Sequence, residues 1–494
     1  MLRRLESTNI RRVGACFGFG MSALLLSGCV SLSPEAPTLE NMQQVPENWA
    51  LADLAMANPS PAEIELATYW ALLDDPLLDM LVSRARADNL DLAQAIARVR
   101  AARAGLREAR ARRLPSATGN AGLGRDVGDF SRDELQFVLG ADVAWDADLF
   151  GGIGAGIEAS RADLRAAGYS LADLERVIVS SVAIQTTTAR SLAAQLAIAR
   201  ESLVNQDDNL QIARWRNQAG LVSSLDVEQA RTQRAQTAAT IPQLESDLVA
   251  TANAISTLIG EPPGEVYRML LAQPRAVPAP PENIALDVPA QTLQRRPDVG
   301  AAQAQLAADL ERVGIARAQL YPLVRLSGSV GSTAFGIDEL LDIVTGNVFA
   351  GLTQLLFDGG RTRAQIDTAQ AIADGSLAGW RRTILVALEE VETAAVDLEA
   401  SDARVAAFIE ASEGARDAAL LARSQYQAGL IDFQVLLTVE SQLLSARNAE
   451  VSARAARALA FIRLARALGG GWQVPGDTGI ETDVTNRIET GAAS

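Results

Sequence analysis

Ile384 to Ile409 reads ILVALEEVETAAVDLEASDARVAAFI. Apolar residues fall at Ile384, Leu388, Val391, Ala395, Leu398, Val405 and Ile409, in alternating steps of four and three with one break at Asp402. That spacing is the seam of a coiled coil. The segment lies inside a proline-free run, 361–427, and a second such run covers 153–217. At ~1.5 Å per residue the two predict helices of roughly 100 and 98 Å. The chain offers shorter helices in pairs to match them. Residues 222–259 and 298–320 give ~57 and ~35 Å, and 434–468 and 91–113 give ~52 and ~35 Å. Each long helix is therefore accompanied by two shorter ones end to end, after a turn at Gly220 or Gly429.

Between the helices lie short segments with a different period. Leu135, Phe137, Leu139, Ala141, Val143 and Trp145 alternate with Gln136, Val138, Gly140, Asp142, Ala144 and Asp146. Val324, Leu326, Gly328 and Val330 alternate with Arg325, Ser327, Ser329 and Gly331. Residues 116–124 read as a strand before the first of these, and 346–357 as a less regular strand after the second. Apolar on one face and polar on the other, such strands suit a half-buried sheet or a membrane barrel with a wet interior. In the barrel reading, Asp142, Asp146 and Arg325 face the lumen and the odd residues of 135–145 face lipid. Four strands cannot close a barrel, and lipid does not tolerate open strand edges. Three copies would supply twelve strands and twelve helical columns.

The chain is also a duplication. Arg113-Leu114-Pro115 matches Leu320-Tyr321-Pro322, and Leu149-Phe150-Gly151-Gly152 matches Phe357-Asp358-Gly359-Gly360. Gln218-Ala219-Gly220-Leu221 matches Gln427-Ala428-Gly429-Leu430, and Leu258-Ile259-Gly260 matches Ala467-Leu468-Gly469. A spacing held across four landmarks means two copies of one supersecondary unit. The expected organisation is a signal segment 1–28, an extended N-terminal segment 29–75, repeat one over 76–261, and a Pro-rich linker 262–289. Repeat two over 290–472 and a flexible tail 473–494 complete it. The fold class is mainly α with a small β part.

Composition removes whole classes of chemistry. Among 494 residues there is no His, and all 44 basic residues are Arg. A Ser-His-Asp triad, a His-ligated metal site and a Schiff-base lysine are all excluded. We therefore expect no enzyme activity, no catalytic residue, no metal and no cofactor. A net charge of -16 argues against a nucleic-acid partner. Glu389, Glu390 and Glu392 read as a solvated helix face rather than a carboxylate pair. Gly151-Gly152-Ile153-Gly154-Ala155-Gly156 invites a dinucleotide reading, but Ile157 stands where the last glycine belongs.

The N-terminus carries Arg3, Arg4, Arg11 and Arg12, then an apolar stretch too short to span a bilayer, which needs ~20 residues. It ends Leu26-Ser27-Gly28-Cys29, which resembles a bacterial lipobox with Cys29 as the lipidated first residue of the mature chain. Val30 after it points to the outer membrane. Removing a segment of charge +3 leaves the mature chain near -19. A cation-preferring duct is the expectation that follows, since like charges around a narrow cavity concentrate counter-ions.

Further motifs carry a family resemblance. They are Trp70 with Asp75-Pro76-Leu77-Leu78-Asp79, the segment 89–100, Arg295-Arg296-Pro297-Asp298-Val299, Leu356-Phe357-Asp358-Gly359-Gly360-Arg361, and Tyr426-Gln427-Ala428-Gly429. Over about residues 65–472 the chain resembles the TolC-type outer membrane factors, in particular the lipoprotein branch of OprM and NodT. The resemblance implies a long α-helical coiled-coil barrel joined to a transmembrane β-barrel, completed by homotrimerisation. It implies an outer-membrane channel, lipid-anchored with a periplasmic helical tunnel. Its partners would be a periplasmic adaptor and an inner-membrane pump of the RND type, and it would conduct passively. A duct for type I secretion and a lipid-tethered coiled-coil scaffold are the alternatives. The family narrows its channel at the helix tips with an acidic residue. Thr438 stands at that position here, so the constriction is expected among Gln434, Thr438 and Asp432, with Glu440 a further acid nearby.

Overall fold

The structure is a computed structural model. It describes residues 32–35, 37–38, 46, 49–50, 66–125, 127, 129, 135–281 and 289–472. The signal segment, Cys29 and the tail 473–494 lie outside the described residues.

A short 3₁₀ helix, Leu66–Leu73, opens the continuous part of the chain. Helices α1 (Pro76–Asp88) and α2 (Leu90–Ala111) follow, then strands β1 (Ser116–Arg125) and β2 (Leu135–Ala147). Helix α3 (Gly152–Gln218) leads through a turn into α4 (Ser224–Leu258), then α5 (Glu265–Ala272), α6 (Pro289–Arg295) and α7 (Pro297–Ala318). The second half repeats the order with β3 (Leu323–Ala334), β4 (Thr345–Thr353), α8 (Arg361–Gln427) and α9 (Phe433–Ala467). Both long helices contain 67 residues.

Several boundaries differ from the sequence reading. The fourth strand stops at Thr353, four residues short of Phe357, because Gln354 turns its side chain onto the Leu320 carbonyl. The N-terminal segment is not extended throughout, since Tyr69 of the 3₁₀ helix is fully buried and packs edge-on against Trp70 and Phe461. The Pro-rich linker contains α5, which buries Val266 and Leu270. The seam in α8 also shifts. Its buried positions are Ile384, Ala387, Val391, Ala394, Ala395, Leu398 and Ser401, while Val405 and Ile409 are half-buried. The break at Asp402 is real, and its carboxylate pairs with Arg457 of α9.

The chain divides into two compact units that are not the two repeats. One contains Arg100–Ala166 and Ala302–Trp380 with described residues before Thr38. It holds all four strands, with the ends of α2, α3, α7 and α8 that adjoin them. The other contains Thr38–Val99, Ala167–Ala301 and the chain from Arg381 onward, and is helical. Each unit thus takes equivalent pieces of both copies.

In the first unit the strands form one antiparallel sheet in the order β1-β2-β3-β4, with β1 and β4 as its edges. At the corner where β2 passes into α3, Asp148 accepts hydrogen bonds from the Ile153 and Gly154 amides at 3.0 and 2.7 Å. Asp358 does the same for α8, accepting from the Gly360 and Thr362 amides at 3.0 and 2.8 Å. These carboxylates satisfy the free amides of a helix start. The glycine-rich run at 151–156 therefore already has its anion, and it is a sheet-to-helix corner.

In the helical unit the core is built from α1, α3, α5 and α9 around the 3₁₀ helix. Leu77, Leu78, Leu81, Val179, Val182, Val266, Phe461 and Leu464 are all buried there. Alanine fills much of the remaining interface, as close helix packing requires. Among the described residues no helix is long and apolar enough to cross a membrane.

Candidate channel surfaces

The strand register decides what shares a face. Asp146 pairs with Arg325, Asp142 with Ser329, and Thr118 with Asp142. Directly opposed residues in a sheet point to the same side. One face therefore carries Thr118, Asn120, Asp142, Asp146, Arg325, Ser327, Ser329 and Asn347. The other carries Leu123, Phe137, Leu139, Val143, Trp145, Leu326, Val330, Val348 and Leu352. Apolar residues of this second face are left exposed, Val348 at 88% and Leu352 at 69%. Phe349 breaks the alternation by falling on the polar face, which is why β4 is the least regular strand in the sequence.

The three charged residues of the polar face come together, but not as three free charges. Arg325 donates to both Asp146 oxygens, at 2.6 and 2.9 Å, a two-bond fork across the strand pair. Asp142 instead accepts from the Asn120 side-chain amide at 2.9 Å. One acid of the two is neutralised where it stands.

The helix tips form a second surface. Gly220 and Gly429 have φ of 71° and 75°. In each turn an amide reaches back five residues, Leu221 to the Arg216 carbonyl at 2.8 Å and Leu430 to Gln425 at 2.9 Å. This ending needs a left-handed residue, and glycine takes that conformation without penalty. Behind the turns, Leu210, Ala213, Ala230, Ala422, Tyr426, Phe433 and Leu436 make one buried cluster from all four helices. Arg216 of α3 lies 4.4 Å over the Tyr426 ring of α8 and donates to the Gln427 carbonyl, joining copy one to copy two.

The expected constriction residues separate here. Gln434 and Thr438 line a groove of about 600 Å³ with Leu225, Glu228, Gln229 and Thr232 of α4. Asp432 is exposed at the start of α9, outside that lining. The Thr438 hydroxyl donates to the Gln434 carbonyl at 2.8 Å. Glu440 is withdrawn, since it accepts from Asn209 at 2.5 Å and Arg423 at 3.1 Å. Sequence reasoning missed the α4 half of the groove. The repeat itself contained the signal, because Leu225, Glu228, Gln229 and Thr232 stand 209 residues before Gln434, Leu437, Thr438 and Ser441.

The charged motif residues are clamps. Asp75 caps α1 by accepting from the Leu77 amide and takes two bonds from buried Arg190, which also reaches the Gln273 carbonyl. Arg296 donates to Asp298 and Glu390 and caps α9 at the Ala467 carbonyl, 2.8 Å away. Burial would raise the Asp298 carboxyl, but the hydrogen bonds and charge of Arg296 overcome this and hold it below the usual carboxylate range. Of the three acids read as a solvated helix face, Glu389 is exposed, Glu390 keeps a side chain 37% exposed while it pairs with Arg296, and half-buried Glu392 accepts from the Ala50 amide at 2.6 Å. Among the described residues no group of His, Cys, Asp and Glu could hold a metal ion.

The comparisons with known proteins agree with this geometry. The family model for outer membrane efflux protein matches residues 81–261 and 288–470. The pyoverdine export outer membrane protein OpmQ of Pseudomonas aeruginosa is 32% identical, covering 92% of this chain and 96% of its own. Nodulation protein T of Rhizobium leguminosarum bv. trifolii is 28% identical over 85% of this chain and 90% of its own. The solved outer-membrane channel OprN superposes with a TM-score of 0.81 at 32% identity, covering 90% of this chain and all of that one. With both halves of the duplicated chain matched, this protein belongs to the outer membrane efflux protein family.

Proposed function

We propose that the protein works as a homotrimer, lipid-anchored at Cys29, and serves an RND-type inner-membrane pump through a periplasmic adaptor. Its class is that of its family, the outer-membrane channel of tripartite efflux. Proteins of this family are channels rather than enzymes. The observation that carries the finer reading is the four-stranded sheet. Its apolar face is exposed, its edges β1 and β4 are both unpaired in one chain, and its polar face holds charge. Such a sheet is unstable alone in water or in lipid, and closure with further copies removes both defects. Twelve strands from three copies fall in the range of known outer-membrane barrels, ~8 to 26 strands. A periplasmic scaffold would have no use for a two-faced sheet of this kind.

The test is heat-modifiable migration of the full-length protein extracted from outer-membrane fractions. A trimer before heating and a monomer after it is the expected result. A monomer in both lanes, or recovery with the soluble fraction, refutes the reading. Conduction in this reading is passive, and the polar face sets its preference. Because Arg325 cancels Asp146, Asp142 is the free acid of the three lumen candidates. Reversal potentials across a salt gradient should show cation preference that fades as screening rises, with a Debye length of ~10 Å at 0.1 M. Asp142→Asn should weaken that preference and Asp146→Asn, which frees Arg325, should reverse part of it. An anion preference in the unmodified protein at low salt would sink the selectivity reading.

A further inference from the structure

Leu32 and Ser33, a few residues after Cys29, are fixed to one helix. Ser33 donates to Glu311 of α7 at 2.6 Å and packs on the Gly314 backbone, where any Cβ would collide with it. The Leu32 carbonyl accepts from the Arg317 guanidinium at 3.1 Å. Glu311, Gly314 and Arg317 follow one another along a single helix face. Going upstream from Ser33 to Leu32 therefore goes toward the C-terminal end of α7 and the start of β3. Cys29 lies three residues before Leu32, and three extended residues reach ~10 Å.

At that end of α7 there is a cavity of about 410 Å³. Its walls include Ile315 and Ala318 of α7, Leu149 and Phe150 of the corner before α3, Tyr321, and Leu355 after β4. Phe150 stacks on Tyr321 with ring centroids 5.0 Å apart, which makes one rigid aromatic wall. Asp148 also borders the cavity, but its two oxygens are engaged by the Ile153 and Gly154 amides. A cavity of this size is on the scale of small-molecule sites, ~300–1,000 Å³, and a wall without free charge favours an aliphatic occupant. The Glu311, Gly314 and Arg317 contacts give the chain a direction toward this cavity, and the reach of three residues is what a group on Cys29 would use to meet it.

We propose that this cavity receives an acyl chain carried by Cys29, so that the anchor is docked on the corner between sheet and helices. The proposal rests on the reading of Cys29 as lipidated. It gives the N-terminal lipid a second task besides tethering. The acyl chain that fills it is a wedge between the start of α3 and the end of α7, and it ties the height of that corner to the membrane leaflet.

The experiment uses cells grown on a diazirine-bearing fatty acid. The full-length protein is purified, irradiated and mapped by peptide mass spectrometry. Intact mass first reports whether Cys29 is acylated. The expected result is acylated Cys29 crosslinked to peptides covering 147–153 and 315–323. Thr353→Trp, which fills the cavity from an exposed position, should lower that crosslink at least fivefold while Cys29 stays acylated. Added diazirine phospholipid, given to the unmodified protein, is the competing probe. Acylated Cys29 that labels only bilayer lipid or distant peptides overturns the docking and leaves the lipidation standing. So does a cavity labelled by free phospholipid but not by the tethered chain, or one shielded from both by a second copy of the protein. An unacylated Cys29 overturns both readings.

Discussion

The two helix tips share a backbone and differ in chemistry. Gly220 and Gly429 take the same left-handed turn, and the following helices start from N-caps 209 residues apart, Ser223 and Asp432. In copy one the start is held by hydrogen bonds. Ser223 accepts from the Asp226 amide and Asp226 accepts from the Ser223 amide, a reciprocal capping box. In copy two the Asp432 side chain makes no cap bond. Phe433 replaces Ser224 there, is 2% exposed, and packs 5.3 Å from the Tyr426 ring. The duplication thus preserved the constraint that only glycine meets cheaply. It did not preserve the side chains that finish the helix, because burial and capping can each do so. The consequence in copy two is an acid left free at the tip.

The strongest way to break this comparison is Phe433→Ala. Emptying that site should cost ~3–5 kcal/mol, as for other buried aromatics. Hydrogen exchange should rise across 422–440 and leave the tip of copy one, around 216–230, much less changed. An equal rise at both tips would mean that Phe433 supports them jointly, through the buried cluster it shares with α3 and α4 and through Arg216 on the Tyr426 ring.

The hairpins extend the same contrast to the sheet. β2 of copy one runs for 13 residues with Val138 as its one large apolar residue on the polar face, whereas β4 of copy two has nine and places Phe349 there. Phe137→Arg on the apolar face should cost ~2–4 kcal/mol near a bilayer midplane, while Gln136→Arg should be tolerated. Assembly yield in outer-membrane fractions reads the difference. The same defect from both variants would count against a lipid-facing and a water-facing side.

A smaller effect separates the caps themselves. Ser223→Ala should cost about 1 kcal/mol, whereas Asp432→Ala should cost only a few tenths, since it caps nothing. Thermal unfolding of the purified protein, run side by side, checks the order. Least costly to stability are the groove positions. Gln434→Ala with Thr438→Ala should leave the melting temperature near its starting value and raise conductance in planar bilayers. No change in conductance would move the constriction to Asp432 or to the α4 side, where Gln229 and Glu228 are the next residues to vary.

Much of this was legible before any coordinates. The helix at 361–427 was bounded to the residue, because a coiled-coil period and a glycine on either side are local signals. The β2 alternation was equally plain, and the tip glycines followed from the repeat. The seam after Leu398 was not, since Ser401 is buried by close helix approach and Asp402 is drawn out by Arg457, a residue 55 positions away. The α5 helix inside the linker was hidden by the prolines on both sides of it.

The sequence by itself determined periods, turns, duplication and the absence of His and Lys, all of which are properties of neighbouring residues or simple counts. Only the tertiary structure decided which acids are free. Asp146 meets Arg325 across 179 residues, Glu390 meets Arg296 across 94, and Glu440 meets Asn209 across 231. No helical or strand period reaches that far. Such pairs depend on strand register and on which helix faces touch, and a shift of one residue would turn each side chain away from its partner. The division into a sheet-bearing unit and a helical unit arose in the same way. Two copies of one sequence pattern packed like with like, so the compact units cut across the repeats that built them.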